Sequence, residues 1–315
     1  MKSKNNKKVI GITLGDPCGI GPEVIAKAFK NSCSCIVKEH FLIIGDLKVY
    51  SQYNKKHYPN VSFLDIPQTF SKDLKIGKQS LEGAKASLEY LKTAVILLKE
   101  KRIHALATGP VCKETIQKIE HSFIGHTEFL ANAFHIKKFG MLFVSDKIRT
   151  IVVTRHIPLK KVAEELNQTK IIDAIELTHQ ALKKFYRIKK PKLAVCGVNP
   201  HAGEGGRIGT EEISIIIPAI EKAKKKGITV LGPFAADTLF SPHVGNDYDA
   251  VVSMYHDQGL IAAKILAFSG LVNMTVGLPF VRTSPAHGTA FNIAGQNKAD
   301  ASSMLQSILL ASALA

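Results

Sequence analysis

The sequence lacks any apolar run of the roughly 18–20 residues that a membrane-spanning helix requires. The longest candidate, residues 308–315, is far too short. The basic N-terminus MKSKNNKK is followed by VIGITLGD, which has neither the apolar stretch nor the small-residue cleavage site of a signal peptide. We therefore expect a cytoplasmic protein with no membrane partner.

Acidic residues are scarce relative to basic ones, with 26 Asp and Glu against 42 Lys and Arg and a formal net charge of +16. Such a charge is compatible with binding to nucleic acid, to an anionic membrane or to an anionic metabolite. The lysines fall in scattered clumps, such as 183–184 and 224–226, without interleaved aromatic residues. This distribution favours a solvated basic surface over a nucleic-acid interface, and it leaves attraction of an anionic metabolite open.

Cysteine is also sparse: there are five residues, an odd number, and none forms a CxxC pair. Cys33 and Cys35 have a spacing that would suit a metal or redox pair, but this pair stands alone. We expect free thiols in a reducing compartment. A chain of 315 residues buries enough surface to fold without disulfides.

The common nucleotide-binding fingerprints, GxGxxG and the GK(S/T) of a P-loop, are absent from the glycine-rich segment TLGDPCGIGPEV at residues 13–24. This segment follows a predicted strand and opens a predicted helix, with Pro22 at the first helical position. Its glycines would let the backbone turn sharply and approach a ligand or another chain. A tight turn packed for its own sake is the alternative interpretation.

Short apolar runs alternate with longer amphipathic segments along the chain. The predicted strands are residues 9–14, 41–44, 105–108, 141–144, 151–153, 193–196, 228–231 and 250–253. The predicted helices are residues 22–30, 80–99, 171–185 and 211–225. Strands that alternate with helices indicate an α/β protein with a largely parallel sheet.

Three histidines follow predicted strands closely: His156 in RHIPL, His201 in NPHAGEGGRIG and His256 in YHDQG. In open α/β sheets, ligands bind at the carboxyl ends of the strands. Three imidazoles with an open fourth position can form a catalytic zinc site, although sequence spacing alone does not establish one. Asp257 would either orient a metal ligand or cap a helix.

Two further segments carry polar groups suited to an anionic substrate. His126 and Thr127 lie at a glycine turn before a predicted helix, where they would bind an anion, unless Thr127 only caps the helix. Arg282 offers bidentate recognition of a phosphate or carboxylate, with a surface salt bridge as the alternative, and Lys264 adds a point charge. The turn at residues 287–290 is small and polar, which suits close approach of a ligand to the backbone.

Taken together, these segments resemble the 4-hydroxythreonine-4-phosphate dehydrogenase family of pyridoxal-phosphate biosynthesis. The matching pieces occur in the family's order between residue 13 and about residue 300: TLGDPCGIGPEV, GHTEFLA, RHIPL, GVNPHAGEGGRIG, GPFAADTLF, MYHDQGL and GLPFVRTSPAHGTAFNIAG. The first piece also resembles the GDGIGPEV turn of the isocitrate/isopropylmalate dehydrogenase superfamily. HGTAFNIAG resembles that superfamily's HGSAPDIAG loop, which wraps the adenosine part of the cofactor.

The resemblance implies a fold of two α/β/α domains flanking a cleft, isocitrate/isopropylmalate dehydrogenase-like and without a Rossmann fingerprint. The first domain would comprise residues 1–125 and 280–315 with the cofactor loop. The second would comprise residues 126–279, with the metal and substrate residues and the dimer interface. The resemblance further implies a homodimer with shared active sites and no nucleic-acid partner.

The activity implied is oxidation of 4-phosphooxy-L-threonine with NAD or NADP. The product, 2-amino-3-oxo-4-phosphooxybutanoate, would lose CO2 to give 3-amino-2-oxopropyl phosphate. Carried over residue by residue, the resemblance implies these metal ligands, drawn from both subunits: His156, His201 and His256. The implied metal is divalent, zinc first and magnesium or cobalt as alternatives.

The resemblance also implies the residues that bind the substrate and the cofactor. The substrate contacts would be His126, Thr127, Lys264, Asn273 and Arg282. The cofactor contacts would be Gly288, Thr289, Ala290 and Asn292. No residue is assigned as the general base.

Three departures from the family pattern fall in the cofactor loop. Pro285-Ala286 replaces a valine and an acid, Asn292 replaces an aspartate, and Gln296-Asn297 replaces a Lys-Gly pair. They leave the affinity for NAD and the choice between NAD and NADP open.

The alternatives to this dehydrogenase are a paralogue acting on another phosphorylated 3-hydroxy acid and a non-catalytic binding protein. Retention of all three histidines argues against the second alternative.

Overall fold

The computed structural model describes residues 8–31, 39–68, 70–71, 75–241 and 247–315. Cys33 and Cys35 lie outside the described residues. Cys18, Cys112 and Cys196 are buried free thiols, as expected. Within the described ranges, no helix has the length and apolar character that crossing a membrane requires.

The secondary structure follows the predicted α/β alternation. The strands are β1 Val9–Thr13, β2 His40–Gly45, β3 Val61–Asp65, β4 Ala105–Thr108, β5 Gly140–Val144, β6 Arg149–Val152, β7 Lys192–Cys196, β8 Thr229–Phe234, β9 Ala250–Ser253, β10 Val272–Val276 and β11 Val281–Pro285. The helices are α1 Gly21–Asn31, α2 Leu47–Ser51, α3 Leu81–Lys99, α4 Lys113–Gln117, α5 His126–Ala133, α6 Val162–Glu165, α7 Gln168–Lys184, α8 Ile217–Lys225, α9 Ala236–Leu239, α10 His256–Ala267 and α11 Ser302–Leu314. Short 3-10 turns span Leu159–Lys161, Pro200–Gly206 and Phe291–Ile293, and a π-helical turn spans Glu212–Ile216.

The chain divides into two compact units, residues 1–137 with 278–315, and residues 138–277. Residues 126–137, which the sequence prediction assigned to the second domain, group with the first unit. One physical reason is an aromatic contact, because the Phe134 ring packs edge-on against Phe280 with 4.9 Å between the centroids.

The first unit contains a parallel sheet in the order β3-β2-β1-β4-β11. Its central strands β1 and β4 are buried almost completely. Parallel strands covered by helices on both faces have apolar side chains on both sides, which is why both strands are recognisable as short apolar runs. The βα turns at their carboxyl ends carry the glycine-rich segment of residues 13–24.

The second unit contains a mixed sheet in the order β10-β5-β6-β9-β7-β8. The pairs β10–β5 and β5–β6 are antiparallel, so the prediction of a largely parallel sheet applies less well here. The cause is local: residues 145–148 form a tight turn that joins β5 directly to β6, and two strands joined by so short a turn run antiparallel. Strands β6, β9 and β7 are adjacent and parallel, so their carboxyl ends share one edge of the sheet.

Candidate active site

The three histidines follow the three adjacent parallel strands of the second unit. His156 comes after β6, His256 after β9 and His201 after β7. The sequence prediction that each lies beyond a strand's carboxyl end is confirmed. The topology adds that the three strands are neighbours.

The rings of His156 and His256 lie together, with 5.9 Å between their centroids. Two imidazoles bound to one tetrahedral zinc ion, at about 2.0–2.1 Å each, have ring centroids about 5–6 Å apart. The spacing of this pair therefore fits a shared ion. In the described ranges of a single chain, however, no group of three or more His, Cys, Asp and Glu side chains could hold a metal ion.

Asp257 orients the His256 ring. Its Oδ1 lies 2.7 Å from Nδ1 of His256, and Tyr255, not Asp257, occupies the N-cap position of α10. The sequence left two roles open for Asp257, orientation of a metal ligand and capping of a helix. The geometry favours orientation of the ligand. A carboxylate on Nδ1 leaves Nε2 as the nitrogen for a metal, the arrangement typical of metal-bound histidines.

His201 lies on a turn with an unusual backbone. His201, Ala202 and Glu204 have φ values of 53°, 51° and 43°, and Gly203 and Gly205 are left-handed as well. The left-handed conformation costs roughly 1–2 kcal/mol for each non-glycine residue. Such a turn persists only where its surroundings hold it, and strain of this kind clusters at functional sites.

Arg282 lies at the centre of a buried cluster of polar side chains in the first unit. Its side chain is 2% exposed, so the surface salt bridge considered as an alternative is wrong. Nη2 donates to Thr108 Oγ1 at 2.6 Å, and Nη1 donates to Thr127 Oγ1 at 3.5 Å. Burial lowers the pKa of Arg282 to about 9, which still leaves the guanidinium positive at neutral pH.

His126 and Thr127 belong to the same polar cluster. Thr127 is buried but does not cap α5, because Gly125 takes the N-cap position without a side-chain bond. The pKa of His126 is held well below its usual value, first by burial and then by the positive charges of Arg282 and Lys113. Nε2 of this neutral ring is buried and has no hydrogen-bond partner among the described residues. A buried polar atom without a partner calls for an unseen ligand or water.

The other two predicted substrate residues belong to the second unit. Lys264 is exposed on α10, and Asn273 is half-buried on β10 with its Oδ1 unpartnered. The structure therefore brings together His126, Thr127 and Arg282 in the first unit, and it places Lys264 and Asn273 on separate elements of the second.

The predicted cofactor loop packs against the first glycine-rich turn. Ile20 N–H donates to the Thr289 carbonyl oxygen at 2.9 Å, and Ala290 is left-handed with φ 41°. A Cβ on Gly19 would come within 3.0 Å of that same carbonyl oxygen, so glycine is needed for the approach. Within the loop, Nε2 of His287 is buried and finds no partner in the part of the chain that the structure describes, whereas Gly288 and Asn292 are exposed.

Glu23 fixes the far end of the cofactor loop, a role that sequence reasoning missed. Its buried carboxylate accepts from the backbone N–H groups of Gly295 at 3.2 Å and Ala299 at 3.1 Å. Lys27 bonds both Glu23 and the carbonyl oxygens of residues 297 and 299. The partners are more than 270 positions apart along the chain, so only the pairing of Glu23 and Lys27 one helical turn apart was visible in the sequence.

Asp16, in the first glycine-rich turn, is expected to make stability depend on pH. It is fully buried; Oδ1 accepts from Cys18 N–H at 2.9 Å, and Oδ2 has no partner within the described ranges. Burial raises the pKa of Asp16 to about 6 from 3.8. Because the folded state then holds this proton more tightly than the unfolded state, the free energy of unfolding falls as the pH rises from about 4 to 6, by about 2–3 kcal/mol from this group.

Asp16→Asn keeps the acceptor for Cys18 N–H and removes the charge. Urea unfolding at pH 4 to 7 should show the variant gaining stability relative to the wild type as pH rises, with the difference constant above about pH 6. A difference that does not change with pH would show that folding does not shift the pKa of Asp16.

Comparison with known proteins gives a consistent picture. The family model described as pyridoxal phosphate biosynthetic protein PdxA matches residues 23–311. The chain is 40% identical over 325 residues to a 4-hydroxythreonine-4-phosphate dehydrogenase of Desulforapulum autotrophicum, covering 98% of this chain and 95% of that protein. It is 41% identical over 326 residues to a putative D-threonate 4-phosphate dehydrogenase of Oceanobacillus iheyensis, covering 96% and 97%.

Solved structures of other proteins share the fold of this chain. The crystal structure of 4-hydroxythreonine-4-phosphate dehydrogenase from Klebsiella pneumoniae superposes with a TM-score of 0.85 at 35% identity, covering 97% of this chain and 98% of that one. Isocitrate dehydrogenase from Methylococcus capsulatus shares the fold alone, with a TM-score of 0.50 at 13% identity over 95% of this chain and 83% of that one. The predicted α/β class and its isocitrate dehydrogenase-like fold are confirmed.

Proposed function

Since the chain belongs to the family of pyridoxal phosphate biosynthetic protein PdxA, we propose that it is a 4-hydroxythreonine-4-phosphate dehydrogenase. The reaction removes a hydride from carbon 3 of 4-phosphooxy-L-threonine and a proton from its hydroxyl. The β-keto acid that results loses CO2 and takes up a proton to give 3-amino-2-oxopropyl phosphate. The observation that carries the proposal is the buried polar cluster of Arg282, Thr127 and His126.

This polar cluster suits a phosphorylated substrate. Arg282 supplies a planar fork of donors that matches phosphate oxygens. The two threonine hydroxyls that it contacts fix its orientation before any substrate arrives. His126, kept neutral by its surroundings, adds a hydrogen bond through Nε2. In the second unit, Lys264 and Asn273 supply a point charge and an amide for further contacts.

The residues present also fit a divalent metal ion. We assign His156, His201 and His256 as its ligands, drawn from both subunits of a homodimer, because no single chain gathers three such ligands within its described residues. The rings of His156 and His256 are adjacent, and Asp257 orients His256. Nitrogen ligands favour zinc, with cobalt or magnesium as alternatives. When bound, such an ion polarises the secondary hydroxyl of the substrate and lowers its pKa.

The loop at residues 287–292 fits a dinucleotide. We assign Gly288, Thr289, Ala290 and Asn292 to NAD or NADP, on the close backbone approach of Thr289 to the Gly19 turn and on the unpartnered Nε2 of His287. When bound, the nicotinamide accepts the hydride. The loop's task is then to hold the cofactor, and the tie to Glu23 keeps it in one conformation.

The direct test is NADH formation from 4-phosphooxy-L-threonine by the purified protein, with and without a metal chelator. We expect turnover that the chelator abolishes and that added Zn2+ or Co2+ restores. D-threonate 4-phosphate, which carries a hydroxyl in place of the amino group at carbon 2, is the competing substrate. Preference for it, measured as a higher kcat/KM, would overturn the proposed substrate but not the dehydrogenase assignment.

We further propose that the protein acts as a homodimer and that α10 contributes to the interface. Ile261, Ile265 and Phe268 recur every three or four residues and are 60%, 79% and 77% exposed. This spacing puts them on one face of the helix. A stripe of exposed apolar side chains is typical of an interaction surface. The helix begins at His256, so a second copy of the chain on this face would lie beside a proposed metal ligand.

Ile265→Lys is expected to convert the dimer into a monomer of unchanged fold, because a buried unpaired charge at an interface costs several kcal/mol. Sedimentation should show the change in mass, and turnover should fall at least tenfold if the sites are shared. Ile96→Lys, at a 55% exposed position on α3 of the first unit, is the matched control. The proposal fails if both variants remain dimeric or if the Ile265 monomer is fully active.

A further inference from the structure

We propose that Glu212 is a positioning residue whose carboxylate holds the turn that carries His201. This inference rests on the proposed function, because it takes His201 as a metal ligand. Nothing in the sequence marks Glu212 for such a role, since it lies eleven positions beyond the histidine, at the start of the π-helical turn Glu212–Ile216.

The carboxylate of Glu212 bonds the segment that leads into His201. Oε1 accepts from the backbone N–H groups of Val198 at 2.7 Å and Asn199 at 2.8 Å. Oε2 accepts from Asn199 Nδ2 at 2.9 Å. Glu212 is itself 2% exposed, and a buried carboxylate with three donors is a strong, directional tie.

The same carboxylate is enclosed by the glycines on either side of His201. A Cβ on Gly197 would come within 2.9 Å of Glu212 Oε1, and a Cβ on Gly203 would come within 2.6 Å of Oε2. Gly203 also has φ +78°. The two glycines thus give the backbone room to close around Glu212, which explains in physical terms why NPHAGEGG is rich in glycine.

The backbone of the turn needs such a tie. From His201 to Gly205 every residue has a positive φ, a conformation that L-residues leave when nothing holds them. Glu212 bonds the two residues immediately before Pro200 and contacts the middle of the turn. Without Glu212, the turn could leave this conformation, and the His201 ring would no longer be held in one orientation.

The neighbouring Glu211 provides a matched control. Its Oε2 accepts from the side chain of Asn199 at 2.7 Å, and among the described residues its carboxylate bonds backbone groups at 210–211 but not at 198–199. The two carboxylates are adjacent and carry the same charge. A difference between their variants therefore reports the backbone tie and not the electrostatic field at the metal.

The test is Co2+ binding to the full-length protein, followed by the visible absorption of the bound ion. We expect wild type to bind Co2+ with the intense d–d bands of tetrahedral coordination, and His201→Ala to lose them. Glu212→Ala should bind Co2+ about tenfold to hundredfold more weakly, the range for groups that orient metal ligands. Glu211→Ala should bind as wild type does. Glu212→Gln, which keeps an acceptor for the two backbone N–H groups, should recover most of the affinity.

Two further measurements separate positioning from loss of fold. Gly203→Ala pushes on the Glu212 carboxylate from the other side and should also weaken Co2+ binding. Hydrogen exchange of the 198–199 amides, measured without metal, should speed up in Glu212→Ala but not in Glu211→Ala. If Glu212→Ala is too unstable to purify, the Co2+ affinities of Gly203→Ala and Glu212→Gln decide whether Glu212 positions His201.

The outcomes distinguish this inference from the function on which it rests. If His201→Ala loses Co2+ and Glu212→Ala keeps wild-type affinity and spectrum, the positioning role is wrong and the metal assignment stands. If His201→Ala keeps Co2+, or wild type binds none, the metal assignment fails and the role of Glu212 fails with it. A lower melting temperature in Glu212→Ala with unchanged Co2+ affinity would show a merely structural role.

Discussion

Replacement of His256 by alanine is expected to remove metal binding and dehydrogenase activity together while leaving the fold intact. The side chain is 38% exposed, and its hydrogen bond to the neighbouring Asp257 joins two residues at the surface, so its loss opens no cavity in a core. A metal ion that polarises the reacting hydroxyl is worth several kcal/mol in the transition state. At about 1.4 kcal/mol for each factor of ten, turnover should fall at least about a thousandfold.

Metal content by mass spectrometry and NADH formation are the measurements, and circular dichroism checks the fold. His57→Ala, at an exposed histidine of the first unit, is the control and should keep both metal and activity. A mixture of His256→Ala with His201→Ala tests the shared site, because a mixed dimer would rebuild a complete set of ligands in one of its sites. Full activity of His256→Ala would falsify the assignment of this residue as a ligand.

Much of the fold was predictable because its central strands are buried on both faces. β1, β4, β7 and β9 are short apolar runs, and each was predicted within one residue. β11 was missed because its sequence, VRTSP, carries an arginine, a threonine and a serine. It is buried nonetheless, since Arg282 bonds two threonines and Thr283 Oγ1 donates to the Ser307 carbonyl oxygen at 2.8 Å. Those partners are distant in sequence and become visible only in the fold.

The candidate site also has one part that local sequence predicts and another part that only the fold reveals. The histidines were predictable because a residue that follows a strand lies at that strand's end in any parallel sheet. The order β6-β9-β7, which makes the three strands neighbours, depends on chain crossovers that periodicity does not encode. The tie of Glu212 to residues 198–199 depends on how a π-helical turn meets a left-handed turn, and local sequence patterns describe neither.

Arg282→Ala is expected to weaken use of the phosphorylated substrate about tenfold to hundredfold while barely changing the KM for NAD. The guanidinium is buried and held by Thr108 and Thr127, so it presents its donors in a fixed geometry. Charge-assisted hydrogen bonds of this kind are worth about 1.5–3 kcal/mol each, which corresponds to the stated factor. The loss should appear as a higher KM, or as a lower kcat/KM if the contact tightens in the transition state.

Two controls make the assignment of Arg282 to the phosphate specific. Unphosphorylated 4-hydroxythreonine should be a poor substrate for wild type and should lose little more in Arg282→Ala, because the group that the arginine binds is already missing. Arg282→Lys should be intermediate, since an ammonium restores the charge but not the planar fork that matches two phosphate oxygens. If Arg282→Ala instead raises the KM for NAD and spares the KM for the substrate, the arginine serves the cofactor. The polar cluster of Arg282, Thr127 and His126 would then no longer support the proposal of a phosphorylated substrate.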